Sequence, residues 1–450
     1  MNITKSYRIM TGIILIYFLT GFASAQDELS FTIKEAQNYA LENNYDVRNA
    51  RLNIKAAQKQ RMEVTAAGFP QIEASADYQK LIDIPTQLIP GEFFGEDAGT
   101  TVPVKFGQTH NITYGISVSQ LIFSGSYLVG LRASKIYQKL SVQGARSTEL
   151  DVQETIAQTY YLIIIGEESR RILQESLDNL KKTLYEISAM YDEGFVEETD
   201  VKQLQISVAG LENSIVSIDQ QIMIAYDLLK MQMGIPFSTP IRLKDDLAKV
   251  FSDLDIRSRL EREFDLNNNI TYKLLTTQEQ LADLTLKNEL TGFMPTIAAF
   301  GSIQRNAQRN EFNFFDSDDP WFRTTVVGLS ASWPIFSGGQ RVFKVQKAKI
   351  ELQQASLQRQ KAEQGLDLEF RQTRSDLSTT FKRYQNSENN MKLSKEIYDI
   401  NLIKYKEGLI SSLDLIQSHT QFLQAESEYM TTTSDLLNAQ NKMDKLLENY

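Results

Sequence analysis

The chain writes one long pattern of residues twice, and this duplication limits its possible folds more than any other feature. Gly115-Ile-Ser-Val-Ser-Gln-Leu-Ile-Phe-Ser-Gly125 returns as Gly328-Leu-Ser-Ala-Ser-Trp-Pro-Ile-Phe-Ser-Gly338, at an offset of 213. Tyr191-Asp-Glu-Gly194 returns as Tyr405-Lys-Glu-Gly408 at offset 214, and Asp200-Val201 as Asp414-Leu415. Upstream the offset is 225, with Pro70 on Pro295 and Asn43-Asn44 on Asn268-Asn269. The change of offset from 225 to 213 places one length difference between two paired strands, where a surface loop varies at little cost. Any fold proposed for the chain must therefore be built from two copies of one unit.

Each copy reads as helix, strand, loop, strand, long helix, tight turn, helix. The first repeat covers 26–257, with strands at about 70–80 and 111–123, a long helix at 126–191 and a return helix at 200–233. The second covers 258–450, with strands at about 295–304 and 323–336, a long helix at 340–405 and a return helix at 412–446. Thr32-x-x-Glu35 and Ser258-x-x-Glu261 each scan as a capping box that opens a short helix. A further helix is expected from Asn44 to Ala67, stopped by Gly68 and Pro70.

The strands alternate with period two. Ile112, Tyr114, Ile116 and Val118 take one face, and Thr113, Gly115, Ser117 and Ser119 the other. Phe300 breaks the pattern in its own strand. Alternation of this kind suits a half-buried soluble sheet and a membrane barrel equally. The helices decide between them. From Ser126 to Tyr191 there is no proline, and sixty-odd helical residues reach roughly 100 Å, too long for a compact domain. Leu173, Leu177, Leu180, Leu184 and Ile187 step by four and three, as do Val201, Leu204, Val208, Leu211 and Ile215. Leu415, Ser418, Phe422, Ala425, Tyr429, Thr432 and Leu436 continue the rhythm in the second repeat. Such heptads wind helices around a partner, and the turn at Glu193-Gly194 makes the pair an antiparallel hairpin. Four strands per chain cannot close around a water-filled lumen, whereas three chains supply twelve.

The ends and the charge agree with export. Lys5 and Arg8, the apolar stretch Ile9 to Leu19 and Ala23-Ser-Ala25 read as a signal peptide over 1–25. Its removal leaves 45 basic against 57 acidic residues, a net −12. An acidic chain of this kind does not suit nucleic acid, which needs basic patches. No later apolar run is long enough for a transmembrane helix, so a membrane form must be a barrel. There is no cysteine, no Walker loop, no H-E-x-x-H and no dinucleotide fingerprint. No enzyme chemistry and no cofactor are expected.

The motifs in this order resemble those of the TolC-like outer-membrane efflux proteins. They are Glu35-Ala36 with Leu41-Glu-Asn-Asn44, Gly68-Phe-Pro-Gln71, Trp333-Pro-Ile-Phe-Ser-Gly-Gly339, Glu407-Gly-Leu-Ile-Ser-Ser-Leu-Asp-Leu415 and Met233-Gly-Ile-Pro236. The likeness spans essentially the whole mature chain. Tyr45, Ser337 and Leu121 depart from the family pattern, which has proline, an acid or amide, and proline there. The resemblance implies a mixed, mostly α fold: a trimeric 12-stranded outer-membrane β-barrel continued by a long periplasmic α-helical barrel. It implies a homotrimer in outer-membrane lipid, serving a periplasmic adaptor protein and an inner-membrane pump, either proton-driven or of the ABC type. The rival reading is a secreted or periplasmic structural coiled coil without a pore.

By the same resemblance Asp414 and its repeat mate Asp200 stand at the periplasmic entrance. Three copies of either would form an acid ring that favours cations, with the acids raising one another's pKa. Both also fall in a first helical turn, where an acid satisfies free amides, and Ser411-x-x-Asp414 scans as a capping box. Gly194, Phe195, Gly408, Leu409 and Ile410 form two apolar tips that suggest an adaptor dock, or ordinary turn glycines with a staple. Loops Leu81–His110 and Arg305–Phe322 join paired strands, the second rich in aromatic residues that mark a membrane interface. His110 and His419 stand alone and suggest no metal or triad.

Overall fold

The computed structural model describes residues 29–252, 254–316 and 320–448. The signal-peptide expectation for 1–25 lies outside them. Two compact units emerge, and each is assembled from interleaved segments of both repeats. The repeats are divisions of sequence, whereas the units are divisions of space.

The first unit comprises residues up to 50, 145–270 and 363–450. It opens with β1 (Leu29–Phe31), which pairs in parallel with β6 (Ile241–Leu243). Thr32 caps α1 (Ile33–Asn43) through a reciprocal box with Glu35, so the Thr-x-x-Glu signal operates as read. Asn44 then serves two helices. Its backbone N–H closes α1, while its Oδ1 accepts from Asp46 and Val47 to open α2 (Tyr45–Ala66). Tyr45 takes the first helical position, a place that also suits proline. Ser258 does not cap as expected. It lies inside α6 (Ile256–Glu261), and Asp255 Oδ1 accepts from its backbone N–H instead. Asp255 is one turn earlier in the chain, and a carboxylate caps as well as a hydroxyl.

Four long helices carry this unit onward: α3 (Gly125–Asp192), α4 (Glu198–Met233), α8 (Gln340–Lys406) and α9 (Ser412–Leu446). The heptad residues meet. Leu177, Leu180 and Ile187 of α3, Val201, Leu204, Val208, Leu211 and Ile215 of α4, and Leu415 and Phe422 of α9 form one buried cluster with Tyr398 and Tyr405 of α8. A second cluster joins Tyr160 and Ile163 of α3 to Leu229 and Met233 of α4 and Leu437 of α9, beneath β1 and β6. Gly234 ends α4 at φ +72°, and a Cβ there would stand 2.6 Å from Asn43 O, so glycine is required twice over.

The second unit comprises 51–144 and 271–362. Its sheet is antiparallel in the order β2 (Gln71–Lys80), β5 (His110–Phe123), β7 (Thr296–Arg309), β8 (Phe322–Ser332). Strand β7 runs five residues past the expected 304, because each added residue finds a partner in β5. Strand β8 stops short of 336, where Pro334 has no N–H to give the ladder. The stretch read as a plain loop holds its own hairpin, β3 (Thr86–Pro90) against β4 (Thr101–Lys105). The sheet joins helix at one end only. Helix α7 (Ile270–Thr291) leads into β7, α2 into β2, and β5 and β8 run out into α3 and α8. Two junction bonds hold this end: Trp333 Nε1 donates to Phe293 O at 3.0 Å, and Tyr127 Oη donates to Thr65 O at 3.1 Å.

Candidate functional site

In the first unit the two helical turns are built alike. Gly194 and Gly408 adopt φ +79° and +71°, with open space where a Cβ would stand. Glycine is needed there for backbone conformation rather than for room. Gly194 N–H bonds Tyr191 O and Phe195 N–H bonds Met190 O; Gly408 and Leu409 repeat the pair on Tyr405 and Lys404. Both turns are therefore Schellman closures, which satisfy the carbonyls that end a helix. The apolar residue after each glycine projects: Phe195 is 77% exposed and Leu409 72%. Ile410 does not project with them. Together with Val196 it packs against the four-helix cluster, because each precedes the N-cap of the following helix, the place of a hydrophobic staple.

Asp200 and Asp414 each take the third position of their helix and complete a capping box, with Glu197 and Ser411 respectively. Ser411 donates to Asp414 Oδ2 from Oγ at 2.7 Å and from its backbone N–H at 3.1 Å. These bonds, the side-chain one first, hold the Asp414 carboxyl below the usual aspartate value. Asp414 is exposed and charged. Asp200 is engaged differently. Ser412 Oγ, buried at the start of α9, donates to the Asp200 carboxylate and lies 3.2 Å from Gln203 Oε1. Lys406 at the end of α8 pairs with Glu186 near the end of α3 at 3.0 Å. Near the turns the two hairpins are thus tied by a buried hydroxyl and an ion pair. Sequence reading missed Ser412, because a serine beside an N-cap serine looks like spare capping capacity.

The second unit offers a sheet with two chemically distinct faces. Register sets Ile72, Val118, Gly301 and Val327 in one row, and Ala74, Ile116, Ile303 and Thr325 in the next. The opposite face carries Glu73, Ser75, Asp77, Thr113, Ser117, Ser302, Gln304, Asn306, Thr324 and Ser330. Phe300 belongs to this polar face, and the reason it breaks the alternation is visible. Its register partner is Gly328, whose missing Cβ would meet the ring at 2.8 Å. The aromatic ring fills the space that glycine leaves in the neighbouring strand. At the end of the sheet remote from the helices, Tyr78, His110, Phe312, Phe314 and Trp321 pack edge to face and stacked. His110 Nδ1 lies 2.8 Å from Tyr78 Oη, so this histidine is an interfacial aromatic with a satisfied nitrogen.

Both outer strands of the sheet, β2 and β8, leave one edge without a strand among the described residues. No helix among those residues is long and apolar enough to cross a membrane. The sheet thus presents an apolar face several strands wide and two open edges.

The sequence model of the outer membrane efflux protein family matches residues 37–234 and 269–449, one stretch in each half. The probable efflux pump outer membrane protein TtgC of Pseudomonas putida is 21% identical over 406 residues, covering 86% of this chain and 76% of the relative. Among solved structures, the Campylobacter jejuni CmeC outer membrane channel superposes with a TM-score of 0.71 at 17% identity, over 92% of this chain and 85% of that one. The open state of the Neisseria gonorrhoeae MtrE outer membrane channel gives 0.72 at 17%, over 92% and 88%.

Proposed function

The chain belongs to the outer membrane efflux protein family, and from that premise we propose that three copies close one export duct from periplasm to outside. Its place is the outer membrane and its class is the efflux channel. The observation that carries the homotrimer is the four-stranded sheet with two open edges. Four strands cannot enclose a water-filled lumen, and three sheets joined β8 to β2 supply the twelve that can. The apolar rows then face lipid and the serine-, threonine- and asparagine-rich rows face water. A pore-free coiled coil gives no reason for such segregated faces. No catalytic step is assigned to any residue, and the energy for export comes from a partner pump.

The partners follow from the same premise. The relative TtgC is described as an outer membrane protein of an efflux pump, and this chain in turn would serve a periplasmic adaptor and an inner-membrane pump. Phe195 and Leu409, held out by their glycine turns, are the docking contacts for the adaptor, with Ile410 as the staple beneath. The acids at the turns shape the entrance. Asp414 is exposed and stays ionised, so three copies favour cations at a narrow mouth.

Detergent-extracted protein viewed by negative-stain microscopy, with its native mass, tests the assembly. A three-chain hollow cylinder supports it, and a monomeric rod or a fibre refutes it. Asp414→Ala is expected to lower cation over anion permeability in single-channel recordings; unchanged selectivity would remove the acid from the entrance. Ser412→Ala is expected to loosen the turns by about 1.5–3 kcal/mol, the worth of a hydrogen bond to a charged group. Its readout is a higher open fraction than wild type, with Ser412→Thr restoring the closed level. Equal open fractions for wild type and alanine would show that the hydroxyl does not hold the turns.

A further inference from the structure

Every basic residue of the four-stranded sheet stands on its apolar face, and both acidic residues, Glu73 and Asp77, stand on the polar face. The basic residues also gather at one end. Arg305 and Arg323 are direct register partners, with Tyr114 and Ala76 completing their row, and Lys80, His110 and Arg309 form a row beyond. Two like charges directly opposite on adjacent strands repel and weaken a sheet. Arg305 and Arg323 are exposed, and neither has an ion pair with any described residue. Arg309 is accounted for otherwise, bonded to Asn313 and set 5.1 Å over the Phe314 ring.

Just below the arginines the same face is hollow. Ala74, Ala76 and Gly301 are too small to fill it, and Tyr114, Ile116 and Val327 wall a space of about 770 Å³ whose rim includes Arg305. A cationic pair above an apolar hollow matches an amphiphile with an anionic head and an acyl tail. The level in the sheet also fits. Eleven residues separate Phe322 from Trp333; at about 3.4 Å each and a tilt of about 40°, that is roughly 28 Å, a bilayer's apolar thickness. The arginine row is therefore at headgroup depth, at the end away from the helices.

We propose that Arg305 and Arg323 form a binding site for the phosphate of an anionic lipid in the outer leaflet, with its acyl chain lying in the hollow walled by Ile116 and Val327. The outward placing of this end rests on the duct reading given above; the head-and-tail chemistry does not. The guanidinium pair gives a planar, multidentate grip on phosphate oxygens. The lipid phosphate in turn removes the repulsion between the two arginines, so bound lipid stabilises the β7–β8 pairing at this end.

The test uses the full-length protein in detergent, titrated with dimyristoyl phosphatidylglycerol or dimyristoyl phosphatidylcholine, with retained lipid counted by native mass spectrometry. Wild type is expected to retain phosphatidylglycerol at least about tenfold better, the worth of one charge-assisted bond. Arg305→Gln with Arg323→Gln is expected to abolish that preference. Lys55→Gln with Lys59→Gln removes the same charge from α2 and is expected to leave it intact. Equal retention of the two lipids by wild type, or an unchanged preference in the arginine variant, overturns the proposal. So does full displacement of the lipid by inorganic phosphate, which would make the site a simple anion site without a role for the hollow. Conductance of the same preparation in a planar bilayer separates the two readings. Preference without conductance leaves the lipid site standing and refutes the duct, whereas conductance without preference refutes the lipid site alone.

Discussion

Asp245→Ala is expected to destabilise the helical unit by about 2–3 kcal/mol, the upper part of the range for leaving a buried donor without its acceptor. Asp245 is only 8% exposed. Its Oδ2 accepts from Ile33 N–H at 2.9 Å and lies 3.0 Å from Tyr160 Oη, while Oδ1 meets Lys249 Nζ at 2.5 Å. The lysine is half exposed and adds little by itself, since water screens it. The larger loss comes from the Ile33 amide, left without its acceptor; the fully buried Tyr160 hydroxyl loses one partner and keeps Phe31 O at 3.0 Å. Asp245→Asn keeps an acceptor in place and should cost about 1–2 kcal/mol. Burial works to raise the Asp245 pKa, and the bonds from Lys249, Ile33 and Tyr160 outweigh it, leaving it below 3.8. The contribution is therefore full above that value and is lost as pH falls through the folded one. Denaturant midpoints followed by helical circular dichroism would check both variants, and an unchanged midpoint for the alanine would refute the network's role.

Replacement of Glu426 by leucine is expected to stabilise the protein above pH 7 by about 3 kcal/mol. Glu426 is 5% exposed on α9, and its Oε1 finds no partner. Burial, helped by the like charge of Glu168 and opposed by a hydrogen bond from Ser169, pushes its pKa from 4.5 to about 7. One heptad earlier, His419 is equally buried beside the Tyr398 ring at 4.8 Å, and burial lowers its pKa from 6.5 to about 4. The signs oppose each other. As pH falls from 7 to 4.5 the folded state takes up the Glu426 proton first, and stability rises. As pH falls from 6.5 to 4 the unfolded state takes up the His419 proton first, and stability drops. Wild type should be nearly level between pH 4.5 and 6.5. Glu426→Leu should lose stability on acidification, and His419→Phe should gain it. Parallel pH profiles for all three proteins would refute the assignment.

Opposed in this way, the two groups would offset each other's pH dependence in the middle of the bundle. The same stripe leaves α9 less tightly held than an apolar seam would. Thr433 and Gln440 continue it at heptad spacing, each buried with an oxygen that lacks a partner. Strain of this kind is common where an element must change packing.

The duplication, the helix lengths and the turn chemistry were legible in the sequence because each depends on local residues. A Schellman closure needs its glycine, a capping box its acid at the third position, and a half-exposed strand its alternation. The two-faced sheet could be read from those strands before any pairing was known, and Phe300 looked anomalous only until Gly328 stood opposite it. The second buried face of α9 could not be read. His419, Glu426, Thr433 and Gln440 correspond, at offset 214, to Gln205, Glu212, Asp219 and Tyr226 of α4. On α4 Gln205 and Glu212 are exposed, Asp219 is half-buried and Tyr226 packs partly against the core, and Glu212 pairs with Lys181 at 2.6 Å. The residue type at Glu212 and Glu426 is the same, and hydropathy predicts water for both. Only the packing of α9 among the other helices decides that one glutamate stands in solvent while the other is buried beside Ser169. The local pattern, repeated twice, determined what each element is. The tertiary structure determined which copy lies inside, since burial depends on neighbours brought from far along the chain.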